Sequence, residues 1–299
     1  MQIGLIGLGK MGFNLALNFK QHGHQVLAYD LNKAVLEKIK QQGIATVSSV
    51  SDLALSLPGR KVIWLMVPAG HVVDIILSNL KNHLHPNDII IDGGNSHHKD
   101  SINRAKELGE IGVHLLDCGT CGGVPTVKDG LSLAIGGNKE AFDYCEPIFR
   151  SISIEGGYTY CGLSGNGHFV KLVHNGIEYG MMQSIAEGME LLLKHNHLDI
   201  KSIAKIWNCG SLLEGRLMEF TQKSLEKDNS LESVKAVANY SSEGKWPAEV
   251  AIELGVPAPV ITLALLMRYR SQQDDSFSAR LVSALRGEFG GHTVEKKGN

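Results

Sequence analysis

The densest set of chemically capable side chains in this 299-residue sequence is Lys171-Leu-Val-His174-Asn175-Gly-Ile-Glu178-Tyr179. Lys171, His174, Asn175 and Glu178 stand at i, i+3, i+4 and i+7, so a helix would carry an amine, an imidazole, an amide and a carboxylate on one face. The amine and the carboxylate are two turns apart, about 10 Å of rise. That gap suits a small substrate lying along the helix between a base and an acid. A lysine acting as a base must be able to shed its proton near neutral pH. The same spacing also fits a solvated face with a ladder of ion pairs, and spacing alone leaves both readings open. Phe169, Val173, Ile177 and Met181 fall on the opposite face, where they are expected to pack on a core.

A second set lies at the start of the chain. Gly7-Leu8-Gly9-Lys10-Met11-Gly12 follows an apolar run and opens a helical pattern, the context in which G-x-G-x-x-G binds a dinucleotide. The first glycine makes the turn, the second lets backbone approach a pyrophosphate, and the third permits close helix–strand packing. Asp30 ends the next strand-like run, near the expected spacing for a ribose-binding acid. A carboxylate there accepts hydrogen bonds from the 2′-hydroxyl of NAD and repels the 2′-phosphate of NADP. Leu31 and Asn32 add no positive charge, so NAD is favoured.

These side chains need a frame. Runs at 2–6, 24–29, 61–67, 88–92, 113–117 and 131–135 read as strands, the continuous apolar ones as strands covered on both faces. Helical patterns follow at 10–21, 33–41 and 72–80. Beyond 162–167 strand signals fade, and helical stretches appear at 166–195, 199–208, 212–220, 231–236, 246–254 and 258–285. The pattern predicts an α/β Rossmann-type domain over 1–165, with a mostly parallel doubly wound sheet. An all-α domain over 166–299 is expected to serve substrate binding and oligomerisation. Of 34 glycines, 23 precede residue 168, so the first domain should be rich in turns and close backbone approaches.

Composition excludes other classes. A net charge of −2, with 29 basic and 31 acidic residues, gives no basic footprint for nucleic acid and no polybasic membrane patch. No apolar run approaches the ~20 residues of a membrane span, and the first residues lack the basic region of a signal peptide. Five cysteines, an odd number, fit a reduced, cytoplasmic protein. The pairs His22/His24, His83/His85 and His195/His197 lack a fitting third ligand, so no metal is expected.

G-N-G-H-F-V-K-L-V-H-N-G-I-E-Y-G at 165–180 resembles the signature of the 6-phosphogluconate dehydrogenase family. The loop G-L-G-K-M-G-x-N-L-A, D-G-G-N-S at 92–96, G-K-W at 244–246, G-V-P-A-P followed by Arg268, and F-G-G-H at 289–292 are similar as well. The resemblance spans essentially the whole chain and fits the short form of the family. It implies oxidative decarboxylation of 6-phosphogluconate to ribulose 5-phosphate, in the pentose phosphate pathway and gluconate utilisation. Lys171 would be the base on the 3-hydroxyl and later polarise the keto group; Glu178 would protonate C1 of the enediol. His174 and Asn175 would hold the substrate, Asn95 would lie between substrate and cofactor, and Met66 and Val67 would line the nicotinamide side. Tyr179 and Arg268 match phosphate ligands. Arg286 and His292 match tail residues that reach the neighbouring subunit's site, implying a homodimer or homotetramer. A non-decarboxylating 3-hydroxyacid dehydrogenase and a non-catalytic NAD-binding protein are the alternatives.

Two departures stand out. Cys121-Gly122-Gly123 replaces Ser-Gly-Gly in the substrate loop, and a thiol is a weak donor. The segment 241–246 lacks the lysine and threonine that long forms place before G-K-W; Ser241 and Lys245 are the candidates for that place, and the sequence leaves the choice open.

Overall fold

Strand residues alternate cleanly between the two faces of one central sheet. In the computed structural model, which describes residues 1–123, 127, 129–195, 198–239, 242–290 and 293–295, the strands are β1 (Gln2–Ile6), β2 (Gln25–Tyr29), β3 (Ala45–Thr46), β4 (Val62–Leu65), β5 (Ile89–Asp92), β6 (His114–Thr120), β7 (Leu131–Gly137) and β8 (Ser153–Tyr160). Their order is β3-β2-β1-β4-β5-β6-β7-β8, and every ladder is parallel except β6–β7. The first six strands thus follow the doubly wound order, with the switch point between β1 and β4.

Helices cover both faces, which is why the strands read as unbroken apolar runs. Ile3, Leu5, Trp64 and Ile91 face α1 (Lys10–Gln21), α2 (Lys33–Gln41) and α6 (Lys139–Ile152). Ile6, Ile63, Leu65 and Ile90 face α3 (Val50–Ser56), α4 (His71–Lys81) and α5 (His98–Gly109). On the first face Trp64 packs edge-on to Phe19 and Phe149, with ring centroids 5.3 and 6.0 Å away. At the strands' amino ends, Lys61 and Asp88 form a buried ion pair at 3.2 Å, and His85 Nδ1 lies 2.8 Å from the lysine nitrogen. His85 therefore has a structural partner.

Contacts divide the chain into two units, Met1–Asn175 and Gly176–Asn299. The helix α7 (Asn166–Lys194) begins in the first and continues through the second. The second unit otherwise holds α8 (Ile200–Trp207), α9 (Arg216–Lys227), α10 (Ser242–Glu253), α11 (Pro259–Ser271) and α12 (Phe277–Gly290). Met189, Ile200, Ala204, Met218 and Leu225 form its small core. Gly176 gives α10 and α11 room: a Cβ there would sit 2.8 Å from Pro247 and 3.1 Å from Ile261.

Four expectations for the helices need correction. Residues 231–236 form turns, because the Asp228 carboxylate accepts the backbone N–H groups of Ser230, Leu231 and Ser233 and so competes with a helix. The stretch predicted at 212–220 starts later, at Arg216, after a turn in which Gly215 N–H donates to Asn208 Oδ1. The stretch 258–285 is two helices, broken around Asp275, whose carboxylate accepts from Ser276 N–H ahead of α12. On α7 the expected apolar face holds only in its first half: Phe169 and Val173 are half-buried, but Ile177 and Met181 are exposed, whereas Lys171 and Asn175 of the polar face are buried.

Candidate active site

The glycine loop sits at the carboxyl end of β1, beside the switch point. Gly7 has φ +98°, a conformation open to glycine, and a Cβ there would strike Met66 O. A Cβ at Gly12 would fall inside the van der Waals shell of Gly7 O. At Gly9 a Cβ would meet nothing within 4 Å, and no side chain caps the start of α1. The first-turn N–H groups, with Lys10 exposed beside them and Met11 half-buried behind, thus face open space and fit a diphosphate.

Asp30 follows β2 directly. Leu8 N–H donates to its Oδ2 at 2.6 Å and Asn32 N–H to its Oδ1 at 2.7 Å. The carboxylate is therefore fixed against the glycine loop while each oxygen keeps a lone pair for a ribose hydroxyl. Leu31 is 88% exposed and brings no cation to a 2′-phosphate.

Met66 and Val67 join this loop to the next. Met66 touches the Cβ positions of Gly7, Gly12 and Gly93, and Val67 those of Gly7 and Gly94. The turn after β5 is held from within by Asp92, which is fully buried. Gly94 N–H donates to its Oδ1 at 3.1 Å and Ser96 O–H to its Oδ2 at 2.6 Å. Arg104 of α5 closes the network: its Nη1 lies 3.7 Å from Asp92 Oδ2, Nε donates to Asp74 and Nη2 to Gly70 O. Asn95 stands exposed at the tip of this otherwise buried turn.

Lys171 is 8% exposed and Asn175 9%, which removes the reading of a solvated ion-pair face at these two positions. Lys171 Nζ lies 3.5 Å from His174 Nδ1. The lysine backs onto β6, where a Cβ at Gly119 would be 2.5 Å from its own Cβ. Cys121 N–H donates to Ser132 O at 2.8 Å and so extends the β6–β7 ladder by one bond. Strand alternation then sends the half-buried Cys121 off on the side of Gly119, with Gly122 and Gly123 following. The first unit thus brings Lys171 and Cys121 to one strand end, with Asn175 buried one turn further along α7. All five cysteines are free thiols.

Glu178 and Tyr179 lie on the same helix two turns beyond Lys171, within the second unit. There the Arg268 guanidinium stacks 3.5 Å over the Tyr179 ring, and its Nη1 donates to Asn239 O at 2.9 Å. Gly244 lies beneath the same ring, where a side chain would collide with it. Lys245 is exposed and pairs with Glu249 at 2.6 Å. Arg286 is exposed on α12; Ser241 and His292 lie outside the described residues.

No motif announces Asp117 and Arg104. The available signal for Asp117 is an acid closing an apolar strand, as Asp30 and Asp92 do; its partners come about 50 residues later. Its Oδ1 accepts Gly165 N–H at 2.7 Å and its Oδ2 accepts His168 N–H at 2.9 Å.

Comparison with known proteins agrees with this layout. Residues 2–162 match the family described as the NAD binding domain of 6-phosphogluconate dehydrogenase, and 167–279 match its C-terminal domain. A Bacillus subtilis protein provisionally named as a 6-phosphogluconate dehydrogenase, YqeC, is 44% identical over 99% of this chain and 100% of its own length. An NAD(+)-dependent, decarboxylating 6-phosphogluconate dehydrogenase of Haloferax volcanii is 40% identical over 99% of both. A solved Plasmodium falciparum 6-phosphogluconate dehydrogenase, described with NADP+ and with 6-phosphogluconate, superposes with a TM-score of 0.84 at 30% identity, covering 100% of this chain and 67% of that one. With these matches along its whole length, the chain belongs to the 6-phosphogluconate dehydrogenase family.

Proposed function

We propose that the protein oxidises and decarboxylates 6-phosphogluconate to ribulose 5-phosphate and CO2, with NAD preferred over NADP. The observation that carries this reading is the burial of Lys171 and Asn175 on one face of α7, the lysine resting against Gly119 of β6. A buried amine and amide here have a role in chemistry that an exposed pair would lack. NAD fits the uncapped start of α1, the open Gly9 and the Asp30 carboxylate, and when bound it supplies the acceptor for the C3 hydride.

The chain's own groups do the rest. Lys171 takes the proton of the 3-hydroxyl as C3 is oxidised. The product is a β-keto acid, whose carbonyl receives the electron pair when the C1–C2 bond to CO2 breaks at the carboxylate. Lys171, now protonated, hydrogen-bonds that carbonyl and draws the electrons toward it. Glu178 then delivers a proton to the carbon that carried CO2. His174 and Asn175 orient the hydroxyls, Cys121, Gly122 and Gly123 present the strand-end loop to the substrate, and Asn95 reaches in from the β5 turn. Arg268, stacked on Tyr179, suits the phosphate because its planar fork binds two oxygens at once.

We further assign 1–165 to dinucleotide binding and 166–299 to substrate binding and oligomerisation. Val260, Leu263 and Met267 on α11 and Phe277, Leu281 and Val282 on α12 are exposed apolar side chains, an unusual load for a free surface. They support a symmetric dimer or tetramer in which the tail residues Arg286 and His292 reach a neighbouring site. The five free thiols support a reduced, cytoplasmic setting in the pentose phosphate pathway. The test is turnover of 6-phosphogluconate with NAD: NADH and CO2 should appear together. NADH without CO2 would favour a plain hydroxyacid dehydrogenase.

A further inference from the structure

The helix that carries Lys171 cannot cap itself. Gly165 O accepts the first helical bond, from Phe169 N–H at 2.8 Å, so Gly165 is the N-cap residue and has no side chain to offer. In a capping box, local side chains satisfy the N–H of the cap residue and that of the third helical residue. Here those two donors are Gly165 N–H and His168 N–H, and both go to the two oxygens of one carboxylate from another element, Asp117 on β6. That carboxylate is fully buried, so its charge is balanced by these charge-assisted bonds and by the positive end of the helix. A third tie comes from the buried His168 ring, whose Nδ1 lies 2.7 Å from Ser101 Oγ on α5.

We propose that Asp117 is the positioning residue for Lys171, clamping the first turn of α7 to β6 while Gly119 serves as the surface on which the lysine's Cβ rests. Lys171 follows His168 by three residues, less than one turn, so a shift of the clamp is passed on almost undamped. Two residues along the same strand, Gly119 sets the closest approach: an added Cβ would be 2.5 Å from Lys171 Cβ and 2.7 Å from Gly167 O. The placement extends sideways. Asp117 pairs in register with Asp92, the carboxylate that holds the Asn95 turn. Two in-register carboxylates on neighbouring strands therefore reference Lys171 and Asn95 to one line across the sheet. The inference rests on the reading of Lys171 as the base.

Two variants perturb the clamp by different physics. Asp117→Asn keeps the shape but turns an amide N–H toward one of the two backbone donors. Gly119→Ala leaves the charges alone and lifts the helix. A misplacement of about 1 Å at a reacting group costs about 10²-fold in rate. Both variants are therefore expected to lose about 10²-fold in kcat, with KM and the Kd for NAD changed less than about threefold. The isotope effect with 3-deuterated 6-phosphogluconate should rise, because the oxidation step becomes limiting. Lys171→Ala is assayed alongside. If it is inactive while both clamp variants keep kcat within threefold of the parent, Lys171 stands and the clamp is refuted. If Lys171→Ala turns over normally, the base assignment fails and the clamp with it. Amide exchange in the unmutated protein needs no variant to fold: Gly165 and His168 should be among the slowest amides, and fast exchange at either overturns the proposal.

Discussion

Replacing Arg104 with Met tests the buried network beneath Asn95 most sharply. The guanidinium makes four contacts of unequal worth, to Asp74, Gly70 O, Asp92 and Ser96 Oγ. Its bond to Asp74 reaches a carboxylate that is half-exposed, at 51%, and is worth at most about 1 kcal/mol after solvent screening. Its partner Asp92 is fully buried, and removing one member of a buried pair costs about 3–5 kcal/mol. Asp92 keeps the Gly94 and Ser96 donors, which places the loss at the low end of that range. Methionine preserves the apolar stem. A total near 3–4 kcal/mol follows, and at about 2–4 °C per kcal/mol for a unit of this size Tm should fall by roughly 10 °C. Thermal unfolding followed by near-ultraviolet circular dichroism measures it. The double variant with Asp92→Asn should be less destabilised than the sum of the singles, by at least about 1 kcal/mol, because the stranded charge is gone. A Tm within 2 °C of the parent, or strict additivity in the double variant, would refute the network.

Asp30→Ala should cut kcat/KM with NAD by about 10–100-fold, the equivalent of one or two hydrogen bonds to a charged group, and leave the NADP value nearly unchanged; paired cofactor titrations read it, and an equal loss with both would contradict the ribose role. Gly12→Ala forces a methyl against Gly7 O, with backbone on both sides, and should weaken NAD binding at least about 10²-fold, more than 2.7 kcal/mol of overpacking; calorimetric binding within threefold of the parent would disprove the loop geometry. Burial is the largest force pushing His24 and His114 below the usual histidine range, with the terminal ammonium and Arg60, respectively, adding to it. The unfolded chain therefore binds more protons below about pH 6.5, so their contribution to stability is present above that pH and is lost as pH falls through the folded values. Tm should decline between pH 7 and pH 5, less steeply in His114→Asn; a flat profile or an equal slope in the variant would overturn the assignment.

Legibility differed between the two halves for physical reasons. Strands covered on both faces must be apolar throughout, so K-V-I-W-L-M-V and D-I-I-I-D announced β4 and β5. The glycine loop and Asp30 were readable because a phosphate site needs bare backbone in a fixed order. The helical half exposes much of its apolar surface, and there periodicity misled: α7 turns Lys171 and Asn175 inward and leaves Ile177 and Met181 outside. At 231–236 the Asp228 carboxylate outcompeted a helix that composition favoured. Lys171, Asn175 and Glu178 stood out by spacing on one helix. Asp117 did not, because a lone acid within a strand acquires meaning only when its partners, about 50 residues away, fold onto it.

The central claim is oxidation coupled to loss of CO2, with Lys171 as the base. Its most direct test mixes the purified protein with 6-phosphogluconate and NAD and follows NADH absorbance and released CO2 in the same vessel, beside Lys171→Ala. The account predicts equal amounts of NADH and CO2 from the parent and neither from the variant. Absence of both products with NAD and with NADP, or undiminished turnover by the variant, would contradict it.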